Sequence, residues 1–293
     1  MAKSKAIKTW STAPRAEEKQ PVPCILCGGT SFKAALACEG FSYVKCRSCC
    51  LVQMNPQPLE EEVRRRYQGD YLSYEIQNEA PFLRLQLLAL ADIGFDDLEE
   101  ELVSSRRPAK ARALDIGSAI GSLLVHLQNR GWEASGVEIS GPQAKYARRE
   151  RNLVVYDQAL GELHLPPESF ELVHASHLIE HLNEPRALLS EAHRILSPQG
   201  RLLITTPNIG GLQARLFGGS WRSAIFDHLY LFSKKTLARM LIEEGFTIEM
   251  IRTWGGLAAG TAPGPIKSLA DRAAKVLGFG DVMIVRAKKS GAS

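Results

Sequence analysis

The chain has 293 residues, 45% of them apolar, which allows one ordinary domain of ~150 residues with a sizeable core plus an appendage. Its formal charge of +4 sits at the ends: residues 1–20 carry +3, Arg286, Lys288 and Lys289 another +3, and the remaining body −2. A basic groove for nucleic acid is therefore not expected, no apolar run reaches the ~18 residues of a membrane span, and without a secretory apolar core a cytoplasmic protein is the expectation.

Residues 1–23 are polar and basic, punctuated by Pro14, Pro21 and Pro23, and read as a mobile tail. Next come Cys24 and Cys27, then Cys46 and Cys49, two CxxC pairs with 18 residues between them. That spacing suits two knuckles offering four thiolates to one structural Zn2+, and the closed ligand set leaves no open position for catalysis. Disulfide pairing is the competing reading, opposed by the expected reducing compartment, and Cys38 or Cys50 could stand in for Cys49. The ribbon is expected over residues 24–58 and a helical linker or lid over 59–110. Within the latter, Pro81 to Ser105 is amphipathic and broken at Gly94, which predicts two helices.

The stretch ALDIGSAIGSLL, Ala113 to Leu124, takes an apolar strand through Asp115 into a turn framed by Gly117 and Gly121 and on into a helix. Glycines there let a ligand approach the backbone N–H groups of the helix start. Ala119 stands where a dinucleotide fingerprint would carry its middle glycine, and an acid two residues before the turn suits a cationic ligand better than a pyrophosphate. A second strand, Glu133 to Ile139, includes near its end Glu138, an acceptor suited to ribose hydroxyls. On these residues the chain resembles the class I S-adenosylmethionine-dependent methyltransferases. The resemblance runs from Ala111 to about Lys289, through a helix Pro142–Arg151, strands Leu153–Tyr156 and Ser169–Ser176, a helix Glu184–Leu196, and the turn and strand Ser197–Asn208. It implies an α/β, Rossmann-like seven-stranded sheet over residues 111–293, with S-adenosyl-L-methionine held by Asp115, Gly117, Gly121 and Glu138 and flanked at its adenine by Asp157 and Glu162. The cysteine-rich string, followed by Tyr67 and Tyr71, resembles the zinc-ribbon leader of a subgroup acting on sugars and other small metabolites. In that subgroup such tyrosines lie over the cofactor entrance, whereas the plainer reading packs Tyr71 between ribbon and core.

The chemistry is expected on HASHLIEHL, because ligands of open α/β sheets bind beyond the carboxyl ends of the strands. His177, Glu180 and His181 have i, i+3, i+4 spacing. They provide either a general base with an orienting carboxylate, His181 being the first choice, or a two-histidine, one-carboxylate metal triad. A third reading has Glu180 and His181 capping the turn while His177 faces the cofactor. Related O-methyltransferases carry an acid at the His177 position. After the fifth strand a glycine- and aromatic-rich segment containing His228 is expected to cover the site, with His228 as alternative base or acceptor contact, or simply as part of a string that opens the helix from Lys234. A sixth strand Thr247–Thr253, an excursion Gly255–Gly280 with one helix, and a last strand Val282–Arg286 complete the chain.

Two functions follow. The first is transfer of a methyl group from S-adenosylmethionine to a hydroxyl or carbanion (O- or C-methylation) of a small-molecule acceptor such as a sugar, glycan precursor or secondary metabolite. The second is a non-catalytic module whose zinc ribbon docks a carrier or partner protein.

Overall fold

A computed structural model describes residues 19–59, 71–106, 109–256 and 264–290, with side chains for all of these except Tyr71, Ser105, 264–268 and 270. The first described element is β1, Lys19–Gln20, which pairs antiparallel with β5, Gln57–Pro58. Of the tail expected over residues 1–23, residues 1–18 lie outside the described residues; in the rest, Asn55 fixes both the N–H and the carbonyl of Val22. Between β1 and β5 lie β2, Phe32–Cys38, β3, Phe41–Cys46, and β4, Val52–Met54, an antiparallel meander.

Helices α1, Tyr71–Gln77, α2, Glu79–Asp92, and α3, Phe95–Arg106, follow. The break at Gly94 falls where the sequence puts it, at φ +67. The αβ alternation then runs β6 (Arg112–Ile116), α4 (Ser122–Asn129), β7 (Glu133–Val137), α5 (Gly141–Arg151), β8 (Val154–Tyr156), β9 (Phe170–Ser176), α6 (Pro185–Ile195) and β10 (Leu196–Pro207). After it come α7 (Leu212–Phe217), β11 (Tyr230–Leu231), α8 (Lys234–Glu243), β12 (Phe246–Trp254), α9 (Gly264–Leu277) and β13 (Val282–Lys289). Helices α1 and α7, seven and six residues long, were not foreseen. Such short pieces carry too little periodicity to stand out, and packing rather than propensity holds them.

The main sheet has the order β12-β13-β10-β9-β6-β7-β8, parallel from β10 through β8, with β13 antiparallel to both β10 and β12. This is the expected seven-stranded α/β arrangement. Strand β9 is buried along six of its seven positions, as a central parallel strand covered on both faces must be. From β6 the chain steps outward to β7 and β8, then returns to the other side for β9 and β10. The order therefore reverses between β6 and β9, and a crevice opens beyond their carboxyl ends. One face of the sheet packs α2 to α5, through Leu90, Phe95, Leu124 and Ala147. The other packs α6 and α8 together with Cys24, Leu26, Cys46 and Leu51 of the ribbon, so the knuckles belong to the core of the larger domain.

The ribbon is joined to that domain a second time. Strand β11, from the segment after β10, pairs with β4 and extends the meander to the order β11-β4-β3-β2. Tyr43, Val52 and Met54 bury against Trp221, Phe226 and Leu231. The Tyr43 hydroxyl lies 2.7 Å from the Ile225 carbonyl and 2.8 Å from that of His228. Gly219 admits no side chain, since a Cβ there would stand 1.9 Å from the Ala37 carbonyl oxygen. Removing the phenolic oxygen with Tyr43→Phe strips both carbonyls of this donor, so urea melts should show a loss of about 1–3 kcal/mol, with the metal content of the ribbon unchanged.

Candidate active site

At the cofactor end, the turn after β6 is set by backbone conformation. Gly117 and Gly121 have φ +74 and +81, and a Cβ on Gly121 would meet Leu153 at 2.3 Å. Ala119 also has positive φ, +49, a cost borne where its N–H donates to Glu138 Oε2 at 2.9 Å. Glu138 Oε1 accepts from the Ser140 N–H at 2.7 Å. Each carboxylate oxygen thus keeps a lone pair for a ligand. Burial first, then the charge of Asp115, push Glu138 up, while the two N–H donors pull it down.

The other cofactor candidates are placed differently from one another. Asp115 is 3% exposed and its Oδ1 lies 2.7 Å from His174 Nδ1, its neighbour across the parallel register of β6 and β9. That carboxylate is turned into the sheet. Asp157 is half exposed and paired with Arg148 at 2.8 Å, which holds its carboxyl below the usual range. Glu162 is exposed and accepts from the Ala159 N–H at the start of the short 3-10 turn Leu160–Glu162. The side chain of Tyr71 lies outside the described residues, as does all of Tyr67.

The catalytic candidates gather beyond β9. His177 has φ +51, a conformation a non-glycine residue adopts only under constraint, and its N–H is anchored to the Thr205 carbonyl at 2.8 Å. Its side chain is 48% exposed, and its Nδ1 stands 3.2 Å from Oε1 of Glu180, whose side chain is 1% exposed. Oε2 of Glu180 accepts from Thr206 Oγ1 at 2.9 Å, and the Glu180 carbonyl accepts the N–H groups of Leu229 and Tyr230. Burial alone would raise the Glu180 carboxyl. The His177 hydrogen bond and the fields of His177, His181 and His228 outweigh it and hold the group at about 2. A carboxylate only accepts, so His177 Nδ1 donates to Glu180, and in the neutral ring the lone pair is on Nε2.

His181 Nδ1 donates to the Asp227 carbonyl at 2.8 Å, and its ring meets that of His228 edge-on, with centroids 4.6 Å apart. His228 Nδ1 donates to the Ser223 carbonyl at 2.8 Å. Desolvation, then the neighbouring His181, lower His228 to about 3 and keep it neutral. The i, i+3, i+4 triad of the sequence is thereby regrouped. Glu180, His181 and His228 can each offer one donor atom, all within 4.8 Å of one another, while His177 points outward from Glu180. Thr206 and His174 were missed. Their signal is a polar residue close after an apolar run, Leu202–Ile204 before Thr206 in β10 and Leu172–Val173 before His174 in β9.

The four cysteines also converge. Cys24, Cys27, Cys46 and Cys49 bring their sulfurs within 4.8 Å of one another, with 3.3 Å for Cys24–Cys49 and 3.5 Å for Cys27–Cys46. Zn–S bonds of ~2.3 Å at tetrahedral angles require sulfurs ~3.8 Å apart, so the donor set fits Zn2+. Burial is outweighed at Cys46 by N–H groups of Cys49 and Ser48, which bring its thiol to about 6. Cys38 and Cys50 lie outside the cluster. Purified protein should carry one zinc per chain by elemental analysis, and Cys24→Ser with Cys27→Ser should abolish it.

Acid should loosen this region in two stages. Below His228's ordinary 6.5 the unfolded chain binds a proton that the folded chain refuses down to about 3, so stability falls through that window. Glu180, lowered from 4.5 to about 2, adds stability present above 4.5 and lost as the pH drops to about 2. Urea midpoints should decline from about pH 6.5 downward, and His228→Asn should flatten the upper part of that slope.

With this geometry in place, comparison with known proteins gives a consistent result. A family model described as a methyltransferase domain matches residues 93–251, more than half of the chain. The uncharacterized 37.1 kDa protein in transposon TN4556 of Streptomyces fradiae is 26% identical over 171 residues, 55% of this chain and 49% of that protein. A ubiquinone biosynthesis O-methyltransferase of Psychrobacter arcticus is 23% identical over 170 residues, 53% of this chain and 66% of that one. The chain thus spans between half and two thirds of the length of these relatives. A structure of a SAM-dependent methyltransferase from Archaeoglobus fulgidus superposes with TM-score 0.51 at 21% identity, covering 75% of this chain and 100% of that one, a likeness of fold.

Proposed function

Because the chain belongs to the methyltransferase-domain family, we propose that it transfers a methyl group from S-adenosylmethionine to a hydroxyl of a small molecule such as a sugar, glycan precursor or secondary metabolite. The residues present fit that cofactor. Glu138 offers a free lone pair on each oxygen for ribose hydroxyls, and the Gly117–Gly121 turn brings main chain to the same crevice with no side chain at either end. When bound, the cofactor supplies an electrophilic methyl group on a sulfonium.

The observation that carries the reading is the His177–Glu180 dyad beyond β9, at the crevice where the strand order reverses. Glu180 fixes the tautomer of His177 and stabilises the imidazolium formed when Nε2 takes the acceptor's proton. Thr206 keeps Glu180 in place. The sequence reading ranked His181 first as base; the geometry favours His177, whose ring is half exposed and backed by a carboxylate, whereas His181 is fastened to the Asp227 carbonyl inside the segment around His228. His181 and His228 then shape the acceptor side. O-methylation also agrees with the activity for which the P. arcticus relative is named.

A ribbon that serves only to dock a partner protein finds no support, since β4 is used to hold β11 and the knuckles to complete the core. With candidate sugar and phenolic acceptors and labelled S-adenosylmethionine, His177→Ala should lower kcat by ~10² to 10⁴ and leave cofactor affinity nearly unchanged. His181→Ala, with the dyad intact, should act chiefly on acceptor KM. The reverse pattern would return the base to His181.

A further inference from the structure

Glu75 has no part in the chemistry described so far. It sits on α1, is 8% exposed, and its Oε2 has no hydrogen-bond partner. Among the described residues, the hydrogen-bonding side chain that acts on it is Gln143 of α5. The Gln143 amide oxygen is taken by the Ser140 hydroxyl, so the bond to Glu75 comes from the amide nitrogen. The N–H of that same Ser140 holds Glu138. Helix α1 therefore lowers a second carboxyl onto the loop that carries Glu138, and the two act on each other electrostatically. A buried acceptor without a donor costs free energy that nothing described in the chain repays. What completes the pair is a ligand with two donors.

We propose that Glu75 is a cofactor-binding residue, which together with Glu138 grips the vicinal diol of the nucleoside ribose from the lid side. The proposal rests on the S-adenosylmethionine reading given above. A diol matches the acceptors, because one hydroxyl can donate to the free lone pair of Glu138 and the other to Oε2 of Glu75. Nearby, Glu79 is already matched, pairing with Arg151 at 2.6 Å and accepting from Ser122, while Lys145, Arg149 and Glu150 of α5 line the hollow beside Leu72 of α1.

The arrangement also predicts a proton count. Burial first, then the charge of Glu138, raise Glu75 to about 7, with the Gln143 bond opposing them. Near neutrality the empty site therefore holds a proton on Glu75 in part of the molecules. Hydroxyl donors favour the carboxylate, so binding expels that proton into the buffer.

Calorimetry of the full chain at pH 7 with S-adenosylhomocysteine and with S-adenosylmethionine, in buffers of differing ionisation enthalpy, tests this. Wild-type protein should release a fraction of a proton with either ligand, and Glu75→Gln should release none. Glu75→Ala should bind both ligands roughly tenfold to a hundredfold more weakly and by the same factor, since the diol is common to them. Unchanged affinity in Glu75→Ala, or no proton release by the wild type, overturns the proposal. A loss seen with S-adenosylmethionine alone also overturns it, by placing Glu75 at the sulfonium. If Glu138→Ala loses affinity while Glu75→Ala does not, the cofactor reading stands and this proposal falls. A wild-type protein that binds neither ligand removes both.

Discussion

A single buried anion ties the site together. Glu180 is nearly inaccessible, and an isolated carboxylate in that position would protonate rather than stay charged. It remains ionised chiefly because His177 hydrogen-bonds to one of its oxygens and Thr206 donates to the other. Its main-chain oxygen meanwhile receives the N–H groups of Leu229 and Tyr230. One residue thus connects β10, the turn after β9 and the strand that completes the ribbon sheet. Every catalytic candidate touches this node directly or through one neighbour, so the position of the charge fixes the geometry of the whole cluster.

Much of the fold was legible because its signals are local. The strand, turn and helix at Ala113–Leu124, the break at Gly94, and the apolar spacing of Pro185, Leu188, Leu189, Ala192 and Ile195 each depend on residues a few positions apart. The two CxxC pairs were legible for the same reason. What the sequence could not show is pairing across long separations. His228 lies 47 positions beyond His181, and no periodicity brings them together; a donated strand does. Asp115 was read as facing a ligand because its neighbours look like a turn of that kind, yet parallel register sets it beside His174, and a strand neighbour is not a sequence neighbour. Glu75 gave no signal at all, being a lone acid on a seven-residue helix too short to show a pattern.

The ribbon and the acceptor side are one construction. Its sulfur knuckles pack under the sheet, Arg186 at the start of α6 reaches the carbonyls of Ile25 and Leu26 at 3.2 and 2.8 Å, and β4 accepts β11 on its open edge. Tyr43 reaches the carbonyl of His228 itself. The four clustered cysteines sit in the same small sheet whose Tyr43 holds the backbone from which His228 projects. An ion held by four thiolates there would allow that backbone little freedom without taking part in any reaction.

The donated strand has a consequence for how the chain is made. Tyr43 and Ile225 are 182 positions apart, and β4 waits equally long for β11. During synthesis the cysteines emerge well before β11, and the meander they belong to keeps an unpaired edge until Leu231 has left the ribosome. Such long-range closure is slow, and an open edge invites pairing with other chains in the interval. The cysteine-bearing sheet is therefore begun about 180 residues before the strand that finishes it.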